Sequence, residues 1–333
     1  MKIAFFETKN WEKRPFKKLL RSHRLDFYND PLSVETVKLA KPYTIISTSI
    51  YSKVDKKVLS QLPNLKLIAT RSTGFDHIDI KECKKRGIRV ANVPSYGENT
   101  VAEHTFALIL SLSRKMYKSC LKTLRNDFSI DESVKGFDLY GKTLGVIGAG
   151  KIGLHVVRIA KGFGMKVLVY DKFPNKFLSE VLGFEYAPFD EVLKKSDILT
   201  LHVPYTKETH HLINMKNISK IKKGAILINT SRGSVVETDA LIYALDKGIL
   251  SGLGLDVLEG EELIKEEKQL LYDTNSPEKF KNLIKDHILL GRDNVIFTPH
   301  IAFYSEEALQ RIIITTAENI ISFIDKSPKN LIV

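Results

Sequence analysis

The stretch TLGVIGAGKIGLHVVRIAKGFGMKVLVYD, residues 143–171, decides the fold of this chain. An apolar run at residues 143–147 leads into the spacing G-x-G-x-x-G, formed by Gly148, Gly150 and Gly153. An amphipathic stretch follows, so the spacing lies between a predicted strand and a predicted helix, which is the context that indicates dinucleotide binding. The first glycine permits a tight turn, the second lets the backbone approach a pyrophosphate, and the third lets the helix pack close to the strand.

Lys151 and Ile152 lie between the second and third glycines, and the predicted helix begins at Ile152. Their backbone N–H groups and the helix dipole are expected to hold the phosphates. The next predicted strand ends at Asp171, where a carboxylate accepts hydrogen bonds from ribose hydroxyls and repels the 2′-phosphate of NADP. The sequence therefore predicts NAD as the cofactor, although the neighbouring Lys172 would soften the preference. A generic turn is the alternative, but it does not require glycines, strand, helix and acid in this register.

Outward from this segment, short β-branched runs alternate with longer amphipathic stretches. This alternation predicts βαβ units and mostly parallel sheets. The predicted strands are residues 2–6, 44–49, 65–71, 88–93, 143–147, 166–170, 198–203, 225–230, 252–257 and 295–298.

Two series of strands are separated near residue 98. The first series ends near Val93, a long helix is predicted from Asn99 to Arg125, and a new βαβ series begins at Gly141. A last predicted helix, residues 305–326, follows the second series and is expected to cross back to the first. The charged, poorly periodic stretch 261–294 is interpreted as an insertion between strands.

The composition is that of a soluble globular protein. The chain has 333 residues, 43% of them hydrophobic and 27% charged, which favours two domains. Its formal net charge is +12, but the lysines are scattered among glutamates and no basic stretch is interleaved with aromatic residues. This pattern favours a solvated basic surface that attracts small anions over nucleic-acid binding.

The chain contains two cysteines, Cys83 and Cys120, and no His/Cys cluster with metal-ligand spacing, so no metal is expected. Few cysteines in a chain of this length favour a reducing compartment, and we expect a cytoplasmic protein. The N-terminal apolar run is short and charged residues follow it, as in a first strand rather than a signal peptide. The longest apolar stretch, residues 106–112, is too short to span a bilayer, so no membrane association is expected.

Three polar segments follow predicted strands of the second series: NTSRG (229–233), DVLEGE (256–261) and TPHIA (298–302). Ligands of open α/β sheets bind outside the carboxyl ends of the strands. An arginine clamps a carboxylate with two parallel hydrogen bonds, and a histidine exchanges a proton near neutral pH. Taken singly, however, the three segments are better explained as a surface arginine, a solvated acidic turn and a structural histidine, respectively. Spacing alone does not join them into one site.

The chain resembles the D-isomer-specific 2-hydroxyacid dehydrogenases nearly from end to end. Within that family it is most similar to the D-lactate dehydrogenase branch, on Tyr96, on the insertion after Glu261 and on HIAFYS. The segments that carry the resemblance are RSTGFDHID (71–79), NVPSYGENTVAEH (92–104), LGVIGAGKIG (144–153), LHVPYTKETHHLIN (201–214), NTSRG (229–233), GLGLDVLEGEE (254–262) and TPHIAFYS (298–305).

The resemblance implies catalytic roles for Arg232, Glu261 and His300. Arg232 would bind the substrate carboxylate, and His300 would be the general acid/base. Glu261 would pair with His300 and raise its pKa.

Binding roles are implied in the same way. Backbone N–H groups of Thr73 and Gly74 would hold the substrate carboxylate, Tyr96 would hydrogen-bond the substrate, and Phe303 would shape the pocket. Asp256 would contact the nicotinamide carboxamide. Other residues implied to line the NAD cleft are Val203, Pro204, Thr209, Thr230 and Ser231.

The implied architecture is two Rossmann-like domains. A doubly wound parallel-sheet NAD domain, residues 99–299, would be inserted in a discontinuous flavodoxin-like substrate domain, residues 1–98 and 300–333. Hinges are expected near Glu98 and Pro299, and the helix from Asn99 would contribute to a homodimer interface. Closure of the two domains would exclude water before hydride transfer.

The implied reaction is NAD-dependent reduction of a small 2-keto acid, pyruvate first, to D-lactate. The bulky Phe303-Tyr304 pair favours a small, partly apolar substrate. Alternatives within the family are a glyoxylate/hydroxypyruvate reductase and a phosphoglycerate dehydrogenase; the sequence ends soon after the last predicted helix, without the regulatory domain that many phosphoglycerate enzymes carry. An alternative of another class is an NAD(H)-sensing corepressor-like binding protein, against which the absence of long interaction tails counts.

Overall fold

The structure is a computed structural model that describes residues 1–260 and 277–333, with side chains given outside residues 277–283. The chain divides into two compact units. Unit 1 comprises residues 1–97 and 304–333, and unit 2 comprises residues 98–303. Residues 300–303, including His300, lie in unit 2 of this division, whereas the sequence analysis assigned them to the substrate-domain segment 300–333.

Unit 1 is built on a five-stranded parallel sheet of order β2-β1-β3-β4-β5, which is the flavodoxin-like order. Its strands are β1 Lys2–Phe5, β2 Arg24–Phe27, β3 Ile45–Thr48, β4 Leu67–Thr70 and β5 Arg89–Ala91. Its helices are α1 Asn10–Leu19, α2 Lys56–Leu59, α3 Ile80–Lys85 and the last helix, Glu306–Ile324. Two buried apolar clusters pack on this sheet, which explains why β1, β3 and β4 lie in mostly apolar stretches of the sequence.

Unit 2 is built on a seven-stranded parallel sheet of order β12-β11-β10-β9-β6-β7-β8. Its strands are β6 Thr143–Ile147, β7 Lys166–Tyr170, β8 Glu185–Tyr186, β9 Ile198–Leu201, β10 Ala225–Asn229, β11 Leu250–Leu255 and β12 Val295–Phe297. Its helices are α4 Glu98–Ser113, α5 Met116–Leu124, α6 Lys151–Gly162, α7 Lys176–Leu182, α8 Phe189–Lys195, α9 Thr238–Asp246 and α10 Pro277–Leu290. The helix Glu306–Ile324 of unit 1 is therefore α11 in chain order.

The order of the unit 2 strands reverses between β6 and β9, which lie side by side although β7 and β8 come between them in the chain. Such a switch point leaves a crevice at the carboxyl ends of the strands, where doubly wound folds bind nucleotides. Both units are parallel-sheet α/β domains, so the predicted fold class is confirmed.

Two strands and one helix break differ from the sequence prediction. The strands β2 and β8 were not predicted, because RLDF alternates charged and apolar residues and EY is only two residues long. The predicted helix 99–125 is wrong as one piece, since it ends at Ser113 and restarts at Met116. Lys115 takes a left-handed φ of 52°, and the Phe137 N–H donates a 2.8 Å hydrogen bond to the Ser113 carbonyl, which diverts that carbonyl from helical pairing.

No helix within residues 1–260 and 277–333 combines the length and the apolar character needed to cross a lipid bilayer.

Candidate active site

The glycine-rich turn after β6 leads straight into α6, whose N-cap is Gly150. Gly148 has a φ of +99°, and a Cβ there would come within 2.6 Å of the His202 carbonyl oxygen. A Cβ on Gly153 would lie 2.0 Å from the Gly148 carbonyl oxygen. Both glycines are therefore required by the chain's own turn and packing.

Gly150 differs from these two glycines. Its φ is −70°, which any residue adopts, and a Cβ there would meet no heavy atom within 4 Å. The backbone thus lies open at the N-terminus of α6, where N–H groups and the helix dipole favour an anion. The residues present fit a dinucleotide pyrophosphate at this position, with Lys151 exposed on the first turn and Ile152 packed against the unit 2 core.

Asp171 follows β7 and is half-buried. Its Oδ2 accepts a 2.7 Å hydrogen bond from the Ala149 N–H, and its Oδ1 accepts one of 2.7 Å from the Phe173 N–H. A carboxylate has about four lone-pair positions, so both oxygens can still accept from ribose hydroxyls. Asp171 therefore also fixes the glycine-rich turn, a role that the sequence did not predict.

The segment after β9 carries three of the predicted cofactor residues, Val203, Pro204 and Thr209. A Cβ on Gly148 would come 3.0 Å from Val203 Cγ1, so Val203 lies against the glycine-rich turn. Thr209 Oγ1 donates a 2.6 Å hydrogen bond to the Pro204 carbonyl and accepts one from Thr206 N–H at 2.7 Å, which closes the loop on itself. Desolvation lowers the pKa of the adjacent His202 to about 3, so its imidazole is neutral at physiological pH.

The Arg232 segment is held by the side chain of Asn229, the last residue of β10. The Asn229 Oδ1 accepts from Ser231 N–H at 3.0 Å and from Ser231 Oγ at 2.8 Å, while its Nδ2 donates to the Arg232 carbonyl at 2.9 Å. A Cβ on Gly233 would lie 2.1 Å from the backbone of Leu258. The glycine in NTSRG is therefore what allows the segments after β10 and β11 to meet.

Thr230 is buried, and its hydroxyl lies 3.0 Å from that of Thr105 in α4. Thr105 Oγ1 donates to the Val101 carbonyl at 2.8 Å, so its single proton is used and Thr230 must be the donor. The Thr230 side chain thus ties β10 to α4.

Asp256 is 1% exposed, and both of its carboxylate oxygens accept hydrogen bonds from the segment after β12. Oδ1 accepts from Thr298 Oγ1 at 2.6 Å and from Ile301 N–H at 2.9 Å, and Oδ2 accepts from Ala302 N–H at 2.9 Å. The predicted contact of Asp256 with a nicotinamide stays a prediction, whereas its role in the chain is to anchor the residues that flank His300.

His300 adopts a left-handed φ of 56° and is half-buried. Its N–H lies 2.9 Å from the Asp256 carbonyl and 2.8 Å from the Thr298 carbonyl. The ring of Phe303 meets the imidazole edge to face, with 6.5 Å between the ring centroids. A left-handed histidine persists only where its surroundings enforce it, and here the anchored residues 298–302 do so.

His104, in α4, completes this anchor and was missed by the sequence analysis. Its Nε2 lies 2.9 Å from Thr298 Oγ1 and 3.5 Å from Asp256 Oδ1. Since Thr298 gives its only proton to Asp256, His104 must be the donor in their bond, which assigns the proton to Nε2. Desolvation lowers the pKa of His104, and the Asp256 carboxylate opposes this shift.

Glu261, predicted to pair with His300, lies outside the described residues. The structure therefore places two of the three predicted catalytic residues, Arg232 and His300, in loops that both contact Asp256 or its neighbours. The only sequence signals for the supporting residues Asn229, Thr298 and His104 are their positions inside the matching segments.

In unit 1, Thr73 and Gly74 follow β4. The Thr73 hydroxyl donates to the Val93 carbonyl at 2.7 Å, and the Thr73 carbonyl accepts from Asn92 Nδ2 at 2.8 Å. Among the described residues, neither the Thr73 nor the Gly74 backbone N–H donates to another backbone group. Tyr96 lies in unit 1, after β5, and is half-buried.

Arg71 precedes Thr73 but has a structural role. It is 4% exposed, and its guanidinium contacts Glu12 at 3.1 Å, Ser47 Oγ at 3.0 Å and the carbonyls of Phe6 and Glu7. Arg71 is thus occupied by its own unit.

Glu7 lies beside this arginine, directly after β1, and has a left-handed φ of 55°. Both carboxyl oxygens are buried with no partner in hydrogen-bonding geometry among the described residues. Burial raises the pKa of Glu7 to about 7, against the opposing influence of Arg71.

Comparison with known proteins identifies relatives over nearly the whole chain. Residues 106–302 match the model of the "D-isomer specific 2-hydroxyacid dehydrogenase, NAD binding domain". A 2-hydroxyacid dehydrogenase homolog of Haemophilus influenzae is 39% identical, over 96% of this chain and 95% of that protein. A glyoxylate reductase of Thermococcus litoralis is 35% identical, over 100% of this chain and 97% of that protein.

Among solved structures, the D-lactate dehydrogenase of Aquifex aeolicus, in complex with NAD and lactic acid, superimposes with a TM-score of 0.89. It is 42% identical and the match covers 98% of this chain and 96% of that one. The fold and the site define an NAD-dependent oxidoreductase. The chain belongs to the D-isomer-specific 2-hydroxyacid dehydrogenase family, and its cofactor is NAD.

Proposed function

We propose that the chain reduces a small 2-keto acid, pyruvate foremost, to the D-2-hydroxy acid, D-lactate, with NADH as the reductant. One observation carries the proposal. The Asp256 N–H donates a 3.0 Å hydrogen bond to the Asn229 carbonyl, and the Asp256 carbonyl accepts one of 2.9 Å from His300. A single residue at the end of β11 thus links the loop of Arg232 after β10 to the loop of His300 after β12, which supports a carboxylate clamp and a proton donor on either side of it in the NAD-binding unit.

Arg232 binds the substrate carboxylate and orients its keto group. Its guanidinium suits a carboxylate because it offers two parallel donors and is always charged. The Asn229 amide holds the Arg232 backbone, so the clamp is presented with little motion of its own. Substrate-binding roles are also proposed for the backbone N–H groups of Thr73 and Gly74 and for the Tyr96 hydroxyl.

His300 transfers the proton. Bound NADH would supply the hydride for the carbonyl carbon, and His300 donates its proton to the carbonyl oxygen as negative charge develops there. In the reverse direction the same nitrogen takes the hydroxyl proton. Glu261 is proposed to pair with the imidazole and keep the protonated form available.

The residues that would hold NAD lie at the carboxyl ends of the unit 2 strands. The turn Gly148–Gly150 and the N–H groups of Lys151 and Ile152 hold the pyrophosphate, Gly153 keeps α6 close to β6, and Asp171 accepts from the adenosine ribose. The remaining contacts are proposed for Val203, Pro204, Thr209, Thr230, Ser231 and Asp256.

Phe303 favours a small substrate tail, because its ring already packs edge to face on His300. The test is NADH oxidation by the untagged protein with pyruvate, glyoxylate, hydroxypyruvate, 3-phosphohydroxypyruvate and phenylpyruvate. We expect the highest kcat/KM with pyruvate. A maximum on glyoxylate or hydroxypyruvate would replace the proposed substrate by that of a reductase like the Thermococcus litoralis relative. Tight NADH binding without turnover on any of the five acids would favour the corepressor-like sensor.

We also propose a homodimer built on the segment that follows α4. Six large apolar side chains in this stretch of the sequence are at least half exposed, and exposed apolar surface of this kind favours a protein contact. They are Met116 (52%), Tyr117 (58%), Leu124 (79%), Phe128 (75%), Ile130 (95%) and Tyr140 (81%).

Light scattering after gel filtration tests the dimer. Ile130→Asp is expected to give a monomer at concentrations where the wild type is a dimer. Phe177→Asp, at a 70% exposed position on α7, is the matched control and is expected to leave the mass unchanged. A wild-type monomer, or a dimer that survives Ile130→Asp, would contradict the proposed interface.

The proposed location is the cytoplasm. Cys83, which is buried, and Cys120, which is exposed, are both free thiols, as expected in a reducing compartment.

A further inference from the structure

A second cluster of chemical groups lies in unit 2, outside the proposed reaction site. His210 and His211 follow the loop after β9, and Glu259 follows β11. One ligand atom from each of the three side chains lies within 4.8 Å of the others. Sequence spacing did not reveal this cluster, because Glu259 is 48 positions from His211.

The geometry at His211 is already tight. Its Nε2 lies 2.7 Å from Glu259 Oε1. The His210 ring stacks on that of His211 with 3.9 Å between centroids and 22° between planes. His211 itself takes a left-handed φ of 49°, fixed by its N–H, which donates to the Ser234 carbonyl at 2.8 Å, and by its carbonyl, which accepts from Asn214 Nδ2 at 2.7 Å.

A cavity of about 240 Å³ opens beside these groups. Four carboxylates contribute to its lining, against one lysine. The lining residues are His211, Glu237, Thr238, Asp239, Glu259, Lys285 and Asp286.

The charge of this cavity opposes that of the whole chain. Lys285 is paired with Asp239 at 2.6 Å, and Asp286, which is 1% exposed, lines the same cavity as His211. The formal net charge of the chain is +12, which suits anionic substrates and leaves this locally acidic cavity without a role in binding them.

We propose that His210, His211 and Glu259 bind a divalent transition-metal ion of the Zn²⁺ type. Two imidazoles and one carboxylate form a donor set that Zn²⁺ takes with a water as fourth ligand, whereas Mg²⁺ and Ca²⁺ prefer oxygen donors alone. A tetrahedral zinc site needs ligand atoms about 3.4 Å apart. His210 is exposed, so a rotation of its side chain closes the remaining distance.

Metal coordination replaces the hydrogen bond between His211 Nε2 and Glu259 Oε1, since the imidazole must present a lone pair to the ion. The bound ion cross-links the loop of Pro204 and Thr209 to the segment that packs on Gly233. It therefore stabilises the folded unit 2, since it binds the native loops and not the unfolded chain.

The test is calorimetric titration of the untagged protein with Zn²⁺ alone, near neutral pH, in a Cys120→Ser background that removes the exposed thiol. We expect one site and a higher thermal unfolding midpoint with the metal. His211→Gln and Glu259→Gln are each expected to raise the dissociation constant at least tenfold. His210→Ala, at the exposed position, is expected to do the same and secures the test if either of the two half-buried variants folds poorly.

His155→Gln on α6 is the matched control and is expected to bind like the parent. Co²⁺ provides a second readout, because nitrogen and oxygen donors give visible d–d bands without thiolate charge transfer. Absence of Zn²⁺ binding at micromolar concentrations would overturn the proposal. Binding that survives all three ligand substitutions would overturn it equally, by locating the metal elsewhere.

Discussion

Thr298 Oγ1 donates a hydrogen bond of 2.6 Å to the Asp256 carboxylate. This bond joins the last residue before Pro299-His300 to a carboxylate that is 1% exposed, and His104 donates to Thr298 from the other side. The hydrogen bonds that connect His104, Thr298 and Asp256 therefore determine where the His300 backbone lies.

Replacing Thr298 by valine removes both bonds at nearly constant volume. Hydrogen bonds to charged groups contribute about 1.5–3 kcal/mol, so loss of the one to Asp256 is expected to lower kcat for pyruvate reduction roughly tenfold or more. KM for NADH should change much less, because the anchored loop positions the proton donor, His300. Steady-state kinetics check this, with Thr298→Ser as the control that keeps the hydroxyl and the wild-type rate.

His104 lies at the other end of this row of hydrogen bonds, and the variants His104→Gln and His104→Leu test its role. The glutamine amide can still donate to Thr298, whereas leucine cannot. A His104→Leu enzyme as active as His104→Gln would refute the anchoring role.

His300→Ala removes the proposed proton donor. General acid/base groups contribute on the order of 10²–10⁴-fold, and kcat should fall by that factor. NADH binding, measured by fluorescence titration, should be retained. His23→Ala in unit 1 is the control histidine and is expected to keep full activity. Near-normal turnover by His300→Ala would mean that another group moves the proton.

Substitutions at Gly150 and Gly153 test cofactor binding and folding separately. Gly150→Ala meets no heavy atom within 4 Å and has a permissive φ, so its thermal unfolding midpoint without NADH should match the wild type. Its NADH affinity should drop, because the added methyl group occupies the face proposed for the pyrophosphate. Gly153→Ala places a Cβ 2.0 Å from the Gly148 carbonyl oxygen and should lower the midpoint itself. An unchanged NADH affinity in folded Gly150→Ala would move the cofactor away from this turn.

Asp171 combines charge with a structural hydrogen bond, so two variants are needed. Asp171→Ala is expected to weaken the preference for NADH over NADPH. It should also loosen the glycine-rich turn, because it removes the acceptor of the 2.7 Å hydrogen bond from the Ala149 N–H. Asp171→Asn retains one acceptor and removes the charge. If charge repulsion sets the cofactor preference, both variants gain activity with NADPH, measured as the ratio of kcat/KM values. Selectivity that is unchanged in Asp171→Asn would argue against repulsion.

Glu7 predicts a pH dependence of stability. Its pKa rises from 4.5 to about 7 in the folded chain. The stabilisation from the neutral carboxyl is fully present below pH 4.5 and is lost as the pH rises through 7. At pH 8, Glu7→Gln should therefore unfold at a higher temperature than the wild type. Its free energy of unfolding should be higher by up to about 3 kcal/mol. The gap should narrow as the pH falls toward 5, and a constant gap across this range would contradict the raised pKa.

The sequence predicted the parallel sheets because buried parallel strands read as apolar runs, as in LGVIG and AILIN. It missed β2 because RLDF lies at the edge of its sheet and is only partly buried. It also missed the break at Lys115, because the competing donor to Ser113, the Phe137 N–H, lies in a separate segment.

For the site, local signals identified the glycine-rich turn and Asp171, and the resemblance identified Arg232 and His300. His104 was not predicted, because one histidine on an apolar helix has no local signature of a partner in β12's loop. The cluster of His211 and Glu259 was not predicted for the same reason. Only the fold brings the segments after β9 and β11 together.

The central claim is that Arg232 and His300 reduce a 2-keto acid on NADH with one defined stereochemistry. The most direct measurement is the chirality of the lactate formed from pyruvate and NADH by the purified chain, resolved by chiral chromatography. The account predicts D-lactate in amounts equal to the NADH consumed. L-lactate, a racemic product, or no consumption of NADH with pyruvate would contradict it.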